Sequence, residues 1–133
     1  MDIEFESKVT KLQEHYNNFN RLNAKKDQTT DDQKYAIPMQ LFQIVNYAID
    51  IADYIITKRK LGYPSTYAET FNILYDYKLI NKELNDDLQK LSQYRNIIAH
   101  EYHMINKEDL EEIQKLLPAV TDFISIVEQN LKN

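Results

Sequence analysis

The sequence predicts an all-α fold, an antiparallel up-and-down bundle of four main helices with one additional short helix. Three observations predict it. Glycine occurs once and proline three times in 133 residues, too little punctuation for strands joined by tight turns. Apolar residues return every three or four positions, and no segment sustains the alternation of a half-buried strand. Helix start and stop signals fall at the ends of those apolar stripes.

The first helix carries Phe5, Val9, Leu12, Tyr16 and Phe19 on one stripe, and the polar run "NAKKDQTTDDQ" ends it. A second helix has Ile37, Leu41, Ile44, Val45, Ala48, Ala52 and Ile55 on one side, with Phe42, Ile49 and Ile56 on another. An apolar arc that wide calls for more than one neighbouring helix. Pro38 either opens this helix or kinks it. Lys58, Arg59 and Lys60 suit its C-terminus, Gly62 is the expected cap, and Pro64 blocks resumption. Thr66 with Glu69 forms a capping-box pattern for a short third helix through about Tyr77. Asn81 is placed to cap the fourth helix, and Asn106 with Asp109 the fifth. The fifth carries Leu110, Ile113, Leu117, Val120, Ile124, Val127 and Leu131, with Pro118 expected to bend it. There is no internal repeat or low-complexity linker, so residues 1–133 read as a single domain.

Composition removes several functional classes. The chain has no cysteine, which excludes disulfides, zinc–thiolate sites and cysteine nucleophiles. The N-terminal "MDIEFESK" has no apolar run and does not read as a signal peptide. The most apolar segment, "AIDIADYII", is interrupted by Asp50 and Asp53 and is too short to span a bilayer. A cytoplasmic protein with no membrane association is expected. The net charge of −5 speaks against a broad nucleic-acid-binding surface and leaves room for contact with RNA only in a small local site or only briefly.

The fourth helix holds the anomaly. Its seam runs Leu84, Leu88, Leu91, Arg95, Ile98, Tyr102 in steps of four and three, so an arginine stands where a leucine would pack better. A charge there needs a carboxylate, a phosphate or water, because burying it unpaired is costly. A snorkelling side chain or an internal salt bridge is the structural explanation to set against a functional one. His100 follows five residues later, so on a regular helix it points ~140° away from Arg95. Either the helix ends near Ala99 and the chain turns back, or the site is shared with a second copy of the chain. Asn96 lies one turn from His100 and could hydrogen-bond its ring.

His100 and His103, perhaps with Glu101, could suggest a metal pair. No third histidine is expected nearby, since His15 is read on the polar side of the first helix, and no metal is assigned. His103 is read as a helix-end residue interacting with carbonyls. An arginine, a histidine and a tyrosine suffice for metal-independent cleavage of RNA. An imidazole can move the 2′-hydroxyl proton or protonate the leaving oxygen. A guanidinium can hold the phosphate and stabilise its developing charge. A tyrosine can donate a hydrogen bond or stack on a base.

At these residues the chain resembles a known family. "YRNIIAHEY" matches the Arg-x-x-x-x-His-x-Tyr motif of the HEPN superfamily, in the form found in HepT toxins of HepT–MntA toxin–antitoxin systems. "AIDIADYIITKRKLGYPSTYAETFNIL" resembles that family's second helix, its Gly-x-Pro turn and the start of its third. The resemblance covers about residues 36 to 110; Pro38 is its one atypical feature. It implies a HEPN-like helical bundle that forms a homodimer, with two motifs lining a shared cleft, and a ribonuclease that arrests growth. It further implies an MntA-like nucleotidyltransferase antitoxin that uses ATP, which this chain does not, to transfer AMP to the motif tyrosine. On that resemblance Arg95 and His100 would be catalytic, Asn96 a supporting polar residue, and Tyr102 the active-site tyrosine that is modified. The alternative is a non-catalytic HEPN partner of a nucleotidyltransferase that binds nucleotide or substrate. A motif that only caps and pairs a bundle helix is the third reading.

Overall fold

A computed structural model of the chain describes residues 3–24, 31–101 and 104–131. Six helices follow one another: α1 (Ile3–Asn23), α2 (Asp31–Arg59), α3 (Tyr67–Asp76), α4 (Lys82–Glu101), α5 (Lys107–Leu116) and α6 (Pro118–Ile126). A turn of π-helix, Val127–Leu131, ends the described chain. No strand occurs among the described residues, and none of the helices is long and apolar enough to cross a membrane. The all-α antiparallel bundle expected from the apolar spacing is the observed fold.

α2 is the central helix. It packs against α1, α3, α4 and α6, which is why its apolar arc is so wide. Leu41, Ile44, Val45, Ala48, Ile49, Ala52, Ile55 and Ile56 are all buried, and so is Ile51 beside Ile44. Each large aliphatic side chain removed from water in this way contributes about 1.5–3 kcal/mol. The α1 stripe of Phe5, Val9, Leu12 and Phe19 is buried, and Phe5 meets Tyr54 of α2 with ring centroids 5.4 Å apart. α3 is joined to α6 by Phe71 and Phe123, both fully buried and packed edge to face at 5.7 Å.

Pro38 lies inside α2 and does not open it. The expected fifth helix is two. Pro118 takes the first position of α6, where its missing N–H costs nothing, and Leu117 between the two helices keeps right-handed helical angles. The stripe therefore continues across the joint, with Ile113, Leu117, Val120, Ile124 and Val127 all buried. His15 is a correction to the sequence reading. It is half-buried against α2, its Nδ1 2.8 Å from Gln40 Oε1 and its ring stacked on Tyr47 at 5.6 Å. Standing three residues after Leu12 and four before Phe19, it shares their face of the helix.

The caps follow the sequence with two changes. The side-chain oxygens of Asn81 and Asn106 accept the N–H groups of Leu84 and Asp109 at 2.8 Å each, and Asp109 returns the bond to Asn106. Thr66 accepts from Glu69 N–H, but the Glu69 carboxylate bonds the N–H and hydroxyl of Ser65 instead of closing the box on Thr66. Those two bonds hold the Glu69 carboxyl below its usual range. The cap of α2 is Lys60 rather than Gly62. Lys60 has φ +56°, Leu61 N–H donates to Ile56 O, and Lys60 N–H donates to Thr57 O, the paired bonds of a Schellman ending. α3 ends identically at Lys78 (φ +61°), with Leu79 bonded to Leu74 and Lys78 to Tyr75.

A left-handed lysine costs about 1 kcal/mol that glycine does not. Lys78→Gly is therefore expected to raise the urea midpoint, by an amount equivalent to roughly 1 kcal/mol, with an unchanged slope. A lowered midpoint would mean that the lysine side chain stabilises this turn by more than its backbone strain costs.

Candidate active site

Leu84, Leu88, Leu91 and Ile98 bury one face of α4, and that packing brings Arg95 to the level where α2, α3 and α4 meet. Arg95 is half-buried. Its Nε–H donates to Asn46 Oδ1 on α2 at 2.8 Å, and Nη1 donates to Asn96 Oδ1 at 3.2 Å. The guanidinium carbon lies 4.8 Å from the ring centroid of Phe42 on α2 and 4.4 Å from that of Tyr67, the first residue of α3. Phe42 and Asn46 are one helical turn apart, so α2 offers both from the same side.

All four contacts are neutral. The ion pairs found among the described residues, Lys8–Glu4 and Lys82–Asp86, do not involve Arg95. The internal salt bridge that would explain a seam arginine structurally is absent among those residues. A guanidinium has five N–H donors; with one used by Asn46 and one by Asn96, three remain for an anion.

The surroundings fix this arrangement. Gln89 donates to the carbonyl of Ala68, beside Tyr67, and Asn85 donates to Asn72 at 3.3 Å. The start of α3 is thus tied to α4. On the other flank Tyr94 donates to the Glu112 carboxylate on α5. That bond favours the neutral phenol and, with some burial and the negative charge of the carboxylate itself, pushes Tyr94 up to about 12.

His100 is exposed. α4 runs on through it to Glu101, so the helix does not end near Ala99 and the chain does not fold His100 back onto Arg95. The two remain ~140° apart around one helix axis. Asn96, expected as a partner for the His100 ring, turns its oxygen to Arg95 instead, because the guanidinium of the preceding residue is the stronger donor within reach. Tyr102 and His103 lie outside the described residues. Among the described residues no cluster of three or more metal-ligating side chains occurs. The groove of about 450 Å³ lined by Leu84, Asp87, Lys115 and Asp122 contains neither Arg95 nor His100.

Asn46, Phe42 and Tyr67 were not picked out from the sequence as site residues. The available signal was Asn46, a polar residue one turn after Phe42 and at the edge of the apolar arc of α2. Its bond to Arg95 gives a measurable expectation. In a double-mutant cycle of Asn46→Ala and Arg95→Ala, urea unfolding should show a coupling of about 1 kcal/mol. Additive losses would mean that the bond contributes nothing to the folded state.

Known proteins place this arrangement in context. A HEPN toxin of Shewanella oneidensis, solved tri-AMPylated and in complex with its MNT antitoxin, has the same fold, with a TM-score of 0.89 over 98% of this chain and all of that one at 22% identity. A cytosolic Bacillus subtilis protein of unknown function, YutE, shares the fold at a TM-score of 0.73 and 21% identity, over 93% and 90% of the two chains. By sequence, the mRNA nuclease HepT of Shewanella oneidensis is 33% identical over 76 residues, 57% of this chain and 55% of that protein. The matched segment thus spans about half the length of that curated relative. Residues 6–127 match the family described as Ribonuclease HepT-like. The chain belongs to the ribonuclease HepT-like family.

Proposed function

We propose that this chain is the toxin of a toxin–antitoxin pair, a cytoplasmic, metal-independent endoribonuclease whose single domain spans residues 1–133. The observation that carries the reading is the state of Arg95: half-buried, oriented by Asn46 and Asn96, flanked by Phe42 and Tyr67, and lacking a carboxylate partner among the described residues. A positive charge kept without a counter-ion and with three spare donors suits an incoming phosphodiester. The family relative that is an mRNA nuclease, and the fold relative solved with an antitoxin, support the same class.

Arg95 binds the scissile phosphate and stabilises the charge that builds on its oxygens. An exposed imidazole such as His100 takes the 2′-hydroxyl proton; the 2′-oxygen attacks phosphorus, and the 5′-oxygen leaves with a proton from a second imidazole. Because α4 holds Arg95 and His100 on different sides of one helix, the site is completed across a homodimer in which two motifs face one cleft. Asn96 supports the arginine. Tyr102 is the residue to which a nucleotidyltransferase antitoxin transfers AMP from ATP. The added phosphate brings negative charge and bulk to the cleft that the RNA phosphate must enter. A non-catalytic nucleotide-binding partner is the second reading, favoured by the net charge of −5.

Expression of the chain alone should arrest growth. Arg95→Ala and His100→Ala should each relieve the arrest and lower RNA cleavage by at least about a hundredfold, with unchanged helicity, and excess EDTA should leave cleavage by the wild type intact. A toxic His100→Ala would remove the catalytic assignment and leave the binding-module reading. Incubation with the antitoxin and ATP should add AMP at Tyr102, read by mass spectrometry of the tryptic peptide, and Tyr102→Phe should escape it. Modification at another residue would sink the regulatory claim.

A further inference from the structure

We propose that Tyr67 is a nucleobase platform, stacking the base adjacent to the phosphate that Arg95 holds. The proposal rests on the ribonuclease reading above and names what that reading lacks, a contact to the base.

Tyr67 differs from the other exposed tyrosines. Tyr63 stands 98% exposed in the α2–α3 connection, where immobilising it on a ligand would cost conformational entropy. Tyr67 is 41% exposed, yet the Arg95 guanidinium lies over its ring at 4.4 Å. Its backbone is held as well. It is the first residue of α3, directly after the cap Thr66, and the next carbonyl, Ala68, accepts from Gln89 of α4. A ring fixed beforehand, with part of its surface in water, binds a flat apolar partner at little ordering cost.

The position relative to Arg95 supplies the chemistry. A phosphate bound at the three spare guanidinium donors lies within one nucleotide's reach of the Tyr67 ring. Stacking on aromatic side chains is how single-stranded RNA bases are held without sequence readout. The negative net charge disfavours a long electrostatic track along the RNA backbone, so affinity must come from a few close contacts. One phosphate on Arg95 and one base on Tyr67 make a compact subsite of that kind. Phe42, the other ring against the guanidinium, is half-buried on α2 and remains packing.

The alternative role for Tyr67 is only to brace Arg95, and a binding cycle separates the two. In a His100→Ala background, which leaves RNA uncut, affinity for a fluorescein-labelled single-stranded RNA is measured by anisotropy. A matched set of oligonucleotides carries one abasic ribose at successive positions. Tyr67→Leu should weaken binding to the intact oligonucleotide about tenfold, and Tyr67→Phe should recover it. At one position the abasic RNA should lose the same factor with Tyr67 present and lose nothing further in Tyr67→Leu. If the two penalties add at every position, or Tyr67→Leu binds like its parent, the platform is overturned. If the His100→Ala protein binds RNA no better than with Arg95→Ala added, the ribonuclease reading itself fails, and the platform with it.

Discussion

The Arg95 guanidinium sits where a bundle would ordinarily place a leucine, and among the described residues its charge is met by dipoles instead of by a counter-charge. Two amide oxygens and two aromatic rings offset part of the cost of removing it from water. None of them cancels its charge, so the guanidinium remains a cation at this junction of helices. The three helices that meet there are spaced to make these contacts: α2 contributes Phe42 and Asn46 one turn apart, α3 begins with Tyr67, and α4 contributes Asn96 beside the arginine itself. Hydrophobic burial around α2 supplies the stability that allows one seam position to be given to a charge.

Much of the fold was legible because helix packing writes itself as period. Every residue placed on the α1 stripe except Tyr16 is fully buried, and the wide arc of α2 announced a helix with several neighbours. The arginine was legible for the same reason, as a break in the α4 stripe. The residues around it were not. Phe42 reads as one more apolar side chain, and Tyr67 as the start of a short helix. Only a tertiary contact between segments 49 residues apart reveals Asn46 as the Nε acceptor. His15 shows that spacing outweighs residue type: its place between Leu12 and Phe19 puts it against α2 despite its polarity. Residue preference points to Gly62 as the α2 cap, whereas the left-handed position falls two residues earlier on Lys60, where the helix ends. Pro118 inside an apolar stripe predicts a bend, and the structure has a junction between two helices instead, a difference that periodicity cannot show.

A TM-score of 0.89 at 22% identity shows how little of the fold depends on particular side chains. Apolar residues of about the right size at the right period suffice to reproduce the backbone, since cores tolerate exchange so long as volume and pattern are kept. Arg95 contributes differently: its guanidinium is held by polar and aromatic contacts from three helices, and on the proposed function its charge, not its packing, is what the site uses.

The unbroken run of α4 through His100 has a kinetic meaning. On the proposed function, the phosphate-binding group and the proton-carrying group stand on different sides of one rigid rod, and a solitary chain holds two halves that it cannot bring together. Assembly of the working site is then second order in the chain. At concentrations below the dimer dissociation constant, the active species rises as the square of the amount synthesised. Under that proposal a small leak in expression would be attenuated and a large one amplified, so the geometry of one helix would give the cell a threshold.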